Sequence, residues 1–80
     1  MYYAYVLISG LDNRLYKGFT NNLEKRIYEH NQGKNKSTAP YRPWKLVYFE
    51  EFLSMAEARK RELYFKSGSG REFLKKILDA

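Results

Sequence analysis

Five side chains of this 80-residue sequence have the chemistry needed to cleave a phosphodiester bond. Two are the tyrosines Tyr5 and Tyr16, and two more are Arg26 and His30, which are four residues apart. The last is Glu62, a carboxylate within an apolar and basic segment. Phenol and imidazole groups transfer protons, a guanidinium neutralises phosphate charge, and a carboxylate binds a metal ion. The set therefore predicts hydrolysis of a phosphodiester with a single metal ion.

Three strands are predicted to hold part of this set. Residues 2–8 are apolar on both faces, which indicates a central strand. The turn residues at 10–13 join it to a second strand over 15–20, and a third strand spans 45–52. If the residue numbers paired across the hairpin add to an odd sum, Tyr5 and Tyr16 share one face of the sheet.

Three helices complete the prediction, and their starts are marked by capping residues. Asn21 or Asn22 caps the first helix, with Glu24 placed to bond a free amide, and the helix ends at Gly33. Ser54 opens a second helix that runs to about Lys66. A break over 67–70 precedes a third helix, for which Ser69 and Glu72 repeat the capping pattern. The order β-β-α-β-α-α predicts one α+β domain over 1–80, a three-stranded antiparallel sheet with flanking helices.

Helical periodicity places Arg26 and His30 along one edge of the first helix. At 100° per residue, His30 lies about 20° and Arg26 about 60° from Leu23 on the buried face. Glu62 faces inward on the second helix, where a carboxylate must be paired, protonated or bound to a cation. Each residue taken alone also has a packing interpretation, and for Glu62 this is an ordinary ion pair with Lys66.

Composition indicates the class of partner. The net charge of +6 favours a polyanion, and there are no cysteines for disulfides or thiolate metal sites. The first residues carry no basic leader, and their apolar run is too short for a signal peptide or membrane span. We therefore expect a cytoplasmic protein without a membrane partner. In the basic loop over 33–44, Lys34, Lys36 and Arg42 are expected either to contact phosphates or to form an ordinary solvated loop.

The order and spacing of these motifs resemble the GIY-YIG endonuclease superfamily. The pieces that carry the likeness are Tyr3-Ala4-Tyr5, Tyr16-Lys17-Gly18, Arg26, His30 and Glu62, and they span nearly the whole chain. Both name-giving triplets are altered, but each keeps its tyrosine. The sequence is most similar to the small stand-alone URI or YhbQ-like branch, which is related to the amino-terminal nuclease domain of UvrC.

The resemblance implies a metal-dependent endonuclease that cuts duplex or branched DNA, in repair or recombination. It implies that Glu62 holds one Mg²⁺ or Mn²⁺ ion and that Arg26 neutralises the phosphate. Tyr5 would accept a proton with help from His30, and Tyr16 would orient the water or the base. Lys17 and Gly18 are expected to lie against DNA, Gly18 because it leaves room for a substrate backbone.

Two other functions remain open from the sequence. For an enzyme, we expect no separate recognition domain in a sequence of this size, which favours either weak activity or activity directed by a protein partner for targeting. The first alternative is a nucleic-acid-binding module with the nuclease fold and little intrinsic activity. The second is a basic structural protein whose aromatic residues only pack.

Overall fold

The computed structural model describes residues 1–79 and has the predicted α+β architecture. Its elements are β1 (Tyr2–Ser9), β2 (Leu15–Thr20), α1 (Leu23–Asn31), a 3-10 helix (Ala39–Tyr41), β3 (Trp44–Phe52), α2 (Met55–Lys66) and α3 (Gly68–Leu78). The strands form one antiparallel sheet in the order β2-β1-β3. β1 is the central strand and is covered on both faces by apolar clusters, which explains why its side chains are apolar on both faces.

The register of the hairpin places the two tyrosines as predicted. Tyr5 pairs with Gly18 and Leu7 with Tyr16, so the paired residue numbers add to an odd sum. Because side chains alternate along a strand, Tyr5, Leu7 and Tyr16 share one face of the sheet. This arrangement directs both phenol rings toward the same layer of the protein.

Each face of the sheet has its own apolar core. On one face, Tyr5, Leu7 and Trp44 are buried, and Leu23 and Ile27 of α1 pack against them. On the other face, α2 and α3 bury a cluster of Ala4, Val6, Phe65 and Leu74, with further aromatic rings around it. The sheet therefore separates α1 from α2 and α3, and a site that uses both layers must lie at the edge of the sheet.

The structure selects one of the two predicted caps of α1 and corrects the predicted start of α3. Asn22, not Asn21, caps α1, since its side chain accepts from the Lys25 amide; Glu24 is then one position too early for a capping box. Ser67 rather than Ser69 caps α3, by accepting from the Gly70 amide. Ser67 and Ser69 are each followed by glycine, and serine is a favoured N-cap residue at either position, so the sequence does not distinguish them. Ser54 caps α2 as predicted.

The basic loop is more ordered than its sequence indicates. Gly33 has φ +78°, a conformation that favours glycine, and it ends the α1 region as predicted. The 3-10 helix follows, and β3 begins at Trp44, one residue earlier than expected. The Asn31 side chain exchanges two hydrogen bonds with the Trp44 backbone, 2.6 and 3.0 Å long. These bonds tie the end of α1 to the start of β3.

No helix within residues 1–79 has the length and apolar character needed to cross a membrane.

Candidate active site

The centre of the candidate site is a buried chain of three polar side chains. The Tyr5 hydroxyl lies 3.1 Å from Nε2 of His30, and Nδ1 of the same imidazole lies 2.9 Å from Oγ1 of Thr38. All three residues are at most 1% exposed. β1 supplies Tyr5, the last turn of α1 supplies His30, and the basic loop supplies Thr38. The structure thus brings two of the predicted residues into direct contact.

The hydrogen bonds of Thr38 favour one tautomer of His30. Thr38 Oγ1 donates to the Asn35 carbonyl over 3.3 Å, so its lone pairs are left to accept from His30 Nδ1–H. A neutral imidazole protonated at Nδ1 has an unprotonated Nε2. That nitrogen accepts the hydrogen bond of the Tyr5 hydroxyl. The contact is therefore oriented for proton transfer from Tyr5 to His30.

The pKa values of this pair move in the directions that keep both groups neutral. Burial raises the pKa of Tyr5 to about 12, although the neighbouring Arg26 acts in the opposite direction. Burial also lowers the pKa of His30, and the positive charge of Arg26 lowers it further. Because burial disfavours the charged form of each group, the resting state at neutral pH is a phenol bonded to an imidazole.

Tyr16 packs beside this pair without a hydrogen bond to it. Its ring centroid lies 4.8 Å from that of His30, edge to face, and 6.3 Å from that of Tyr5. The Tyr16 side chain is half-buried on the edge strand β2. Tyr16 therefore combines a packing contact with partial access to solvent, which a residue that orients a water molecule needs.

Gly18 leaves room for the Tyr5 ring. A Cβ atom at Gly18 would lie 2.6 Å from Cζ of Tyr5, closer than any real contact allows. The sequence indicates that the missing side chain makes room for a substrate backbone. In the structure that space is occupied by the tyrosine ring, so the requirement for glycine is explained by Tyr5 alone.

Arg26 lies at the boundary between the buried pair and solvent. Its side chain is 38% exposed and lies 3.4 Å from the Glu29 carboxylate. The nearby Tyr5 hydroxyl raises the pKa of Arg26, so the guanidinium remains charged. It also lines an open cleft of about 440 Å³ between the start of α1 and Met55 of α2. Arg26 is the member of the predicted set that lines this cleft.

Glu62 belongs to the layer of α2 and α3, on the opposite side of the sheet from the layer that holds Tyr5 and α1. It lies on α2, is 4% exposed, and is ion-paired through Oε2 with Lys66 Nζ. Its other oxygen, Oε1, lies 3.8 Å from Nε of Arg59 and is buried without a hydrogen-bond partner. The Glu62 charge also raises the pKa of Tyr5, so the two groups are within electrostatic reach. Glu62 therefore points inward, as predicted, and it also forms the predicted ion pair with Lys66.

The donor set is compatible with a metal ion held mainly by water. Within residues 1–79 there is no cluster of three or more His, Asp, Glu or Cys side chains. Mg²⁺ commonly keeps several waters and takes one or two protein carboxylates, so a dedicated cluster is not required. Oε1 of Glu62 accepts no hydrogen bond and has only the Arg59 guanidinium, 3.8 Å away, as an ion-pair partner, so it could serve as a carboxylate ligand for such an ion. The Lys66 ammonium is a competitor for the same carboxylate.

The five predicted DNA-contacting residues lie on different surfaces. Lys34 and Lys36 are exposed in the loop after α1, and Arg42 is exposed with its Nε bonded to the Ala39 carbonyl over 2.8 Å. Gly18 is buried beneath Tyr5. Lys17 lies on the other face of β2, toward α2 and α3, because it pairs with Val6.

Sequence patterns do not identify two residues that support the site. Thr38 positions the imidazole, and Asn31 joins α1 to β3 through the Trp44 backbone. Both lie at the end of a helix or in an aperiodic loop, and both bond across at least eight residues. A threonine between a lysine-rich segment and Pro40 is an ordinary loop residue, and nothing in the neighbouring sequence indicates that it contacts His30.

Comparison with known proteins gives a consistent set of similarities. The family described as the GIY-YIG catalytic domain matches residues 1–76. A UPF0213 protein of Staphylococcus haemolyticus is 46% identical over 77 residues, which cover 95% of this chain and 93% of that protein. A UPF0213 protein of Clostridium perfringens is 52% identical over 67 residues, or 82% and 71% of the two chains. The solution NMR structure of a UPF0213 protein from Bacillus halodurans has a TM-score of 0.56 at 33% identity, covering 96% of this chain and 85% of that one.

Proposed function

The chain belongs to the GIY-YIG catalytic domain family, and on this premise we propose that it is a metal-dependent endonuclease acting on DNA. The observation that carries the proposal is the hydrogen bond between Tyr5 and His30 beside the charged Arg26. A proton acceptor next to a fixed cation suits attack on a phosphodiester, because the reaction both releases a proton and concentrates negative charge.

The proposed proton path runs through the buried pair. The Tyr5 oxygen accepts a proton from the attacking water while the Tyr5 hydroxyl proton moves to Nε2 of His30. A free phenolate is never formed, which removes the difficulty that the pKa of Tyr5 is about 12. Thr38 holds the imidazole by its Nδ1–H throughout, so the ring stays in the orientation that receives the proton.

The other three residues of the set have proposed roles around the phosphate. Arg26 neutralises the non-bridging oxygens as their charge grows, a contribution of about 3 kcal/mol for a well-placed donor. Tyr16 orients the attacking water from the edge strand. A divalent ion, Mg²⁺ or Mn²⁺, bound by Glu62 and waters would supply stabilisation of the leaving oxygen.

A binding module without intrinsic activity is the second candidate function. Two observations favour it. Tyr5 and His30 are at most 1% exposed, so a water molecule must reach a buried oxygen. Lys66 already neutralises Glu62, which weakens the attraction of the carboxylate for a metal ion. A repair or recombination role and a targeting partner are part of the enzyme proposal and not of this alternative.

Cleavage of a substrate panel distinguishes the two functions. The panel contains duplex, single-stranded, flapped and branched DNA, each end-labelled and incubated with Mg²⁺, Mn²⁺ or a chelator. An endonuclease gives internal products that require the metal ion. Binding to the panel without products under any metal condition would contradict the enzyme proposal and support the binding module.

A further inference from the structure

Lys17 is part of a group of cations on the side of the sheet covered by α2 and α3. Its side chain leaves β2 on the face opposite Tyr16 and Gly18. Partial burial and the charges of Arg71 and Lys66 lower the pKa of Lys17. Three cations from β2, α2 and α3 are thus within electrostatic reach of one another, although their positions in the sequence are far apart.

The group extends along α3 to Lys75. Lys17, Arg71 and Lys75 line a shared hollow of about 480 Å³. Its remaining walls are mainly apolar, and Asp79 contributes a carboxylate at the carboxyl end of α3. We refer to Lys17, Lys66, Arg71 and Lys75 as the α2–α3 basic track.

The charge of this track is largely uncompensated within the protein. Among residues 1–79 there are five ion pairs, and Lys17, Arg71 and Lys75 take part in none of them. The remaining member, Lys66, is paired with Glu62. Holding like charges together costs free energy unless an anion neutralises them. The track therefore starts at the candidate metal ligand and continues as unpaired positive charge.

We propose that the α2–α3 basic track binds the phosphate backbone of DNA and leads it to Glu62. The inference rests on the proposed endonuclease function and identifies the surface that holds the substrate strand. An extended polyanion fits better than a single phosphate, because the cations are distributed over three elements and no enclosed pocket surrounds them. This surface is separate from the loop that carries Lys34 and Lys36, since that loop follows α1 on the other side of the sheet.

Salt-dependent binding tests the track without requiring catalysis. Fluorescence anisotropy of a labelled duplex is measured in a chelator over a range of NaCl concentrations. The variant pair K17Q/R71Q removes two charges from the track. The matched control K60Q/K76Q removes two charges from exposed positions of α2 and α3 that do not line the hollow. Circular dichroism melting confirms that each protein is folded.

The track predicts a weaker salt dependence of binding in the track variants but not in the control K60Q/K76Q. The magnitude of the negative slope of log affinity against log salt should fall by about 0.9 for each lost phosphate contact, so by up to about 1.8 in K17Q/R71Q. R71Q/K75Q changes only exposed residues and should show a similar fall. It replaces K17Q/R71Q in the test if Lys17→Gln affects folding. An unchanged slope in both track variants, or an equal loss in the control, would overturn the proposal. Equally tight binding to polyglutamate would also overturn it.

The two proposals fail in distinguishable ways. If the wild-type protein cleaves DNA but the track variants keep its salt slope, the track is wrong and the endonuclease proposal stands. If the slope falls as expected but no substrate is cleaved with any metal ion, the track stands as a binding surface and the proposed enzyme activity is wrong.

Discussion

The Tyr5 hydroxyl and the Nε2 atom of His30 are 3.1 Å apart in a part of the molecule that solvent scarcely reaches. β1 and α1 bring them together across 25 residues of sequence. A buried phenol and a buried imidazole in contact each satisfy the hydrogen-bonding need of the other, and they also form a path for one proton. If the pair only packs, its substitution should lower stability alone, whereas if it transfers a proton, its substitution should also slow cleavage.

Removal of the Tyr5 hydroxyl separates these roles. Tyr5→Phe keeps the ring that fills the space over Gly18 but leaves His30 Nε2 without its partner. We expect a stability loss of about 1–3 kcal/mol, because a buried acceptor becomes unsatisfied. Cleavage should slow by about 10²–10⁴-fold, the usual contribution of proton transfer by a side chain. Urea denaturation and single-turnover rates measure the two effects, and a full rate in a destabilised Tyr5→Phe protein would identify a packing residue.

The pH dependence of cleavage should follow the protonation of His30. The proposed path needs neutral imidazole, so the rate should rise with pH and reach a plateau above the pKa of His30. That pKa is lowered by burial, so the midpoint is expected below the ordinary value of about 6.5. His30→Ala should lose the inflection and slow cleavage by about 10²-fold or more. His30→Tyr should retain part of the activity with an inflection at higher pH.

Single-turnover rates between pH 5 and 9 check this expectation for the three proteins. If His30→Ala keeps both the wild-type rate and its pH profile, the imidazole is a packing group.

The titration of His30 should also be visible in the pH dependence of stability, which is measured independently of cleavage. The pKa of His30 is lower in the folded protein than in the unfolded chain, so the unfolded chain binds the proton first as the pH falls. The contribution of neutral His30 is therefore fully present above about pH 6.5 and decreases as the pH falls toward the folded pKa. The free energy of unfolding should change by at most about 1.4 kcal/mol per pH unit in this window.

His30→Gln is the control, because glutamine does not titrate. The wild-type protein should lose stability between pH 7 and 5 more steeply than His30→Gln, after subtraction of the loss common to both. Parallel curves would show that His30 is not buried in its neutral form.

Gly18 should tolerate substitution much less well than a glycine in open space. The Cβ of Gly18→Ala overlaps the Tyr5 ring and must displace it from His30. We expect a loss of stability of about 1–3 kcal/mol, the usual cost of overpacking, together with reduced cleavage. Gly68→Ala is the control, since its new Cβ would have no atom within 4 Å apart from its chain neighbours and the backbone of its own helix. Equal effects of the two substitutions on the denaturation midpoint would contradict the close contact of Tyr5 with Gly18.

Local patterns in the sequence account for the elements and for which faces they present. Alternation predicts that Tyr5 and Tyr16 share a face once the register is known, and the helical period predicts that Glu62 points inward. Two contacts are not predictable in this way, namely the hydrogen bond between His30 and Thr38 and the hydrogen bonds of the Asn31 side chain with the Trp44 backbone. They join segments that no repeating pattern connects, and they depend on how the basic loop folds back over α1.

The group that approaches Gly18 is likewise not identified by the sequence. A glycine in a strand indicates a close approach by another group, and the sequence is compatible with substrate or protein as that group. Only the register, which sets Tyr5 opposite Gly18, identifies the phenol ring as the neighbour. The caps show a smaller ambiguity, because Ser67 and Ser69 fit the rule equally and only Ser67 bonds a helix amide.

Glu62→Gln tests whether a single inward carboxylate supports metal-dependent cleavage of DNA. Glutamine keeps the size of the side chain and removes its charge, so the fold should be retained while the metal ligand is lost. Single-turnover cleavage is measured across a titration of Mn²⁺ or Mg²⁺, and DNA affinity is measured in chelator for the same preparations. We predict that Glu62→Gln has no metal-dependent cleavage and binds DNA with equal or higher affinity, because a negative charge is removed beside the substrate. A wild-type cleavage rate with an unchanged metal dependence in Glu62→Gln would show that this carboxylate does not bind the catalytic metal ion.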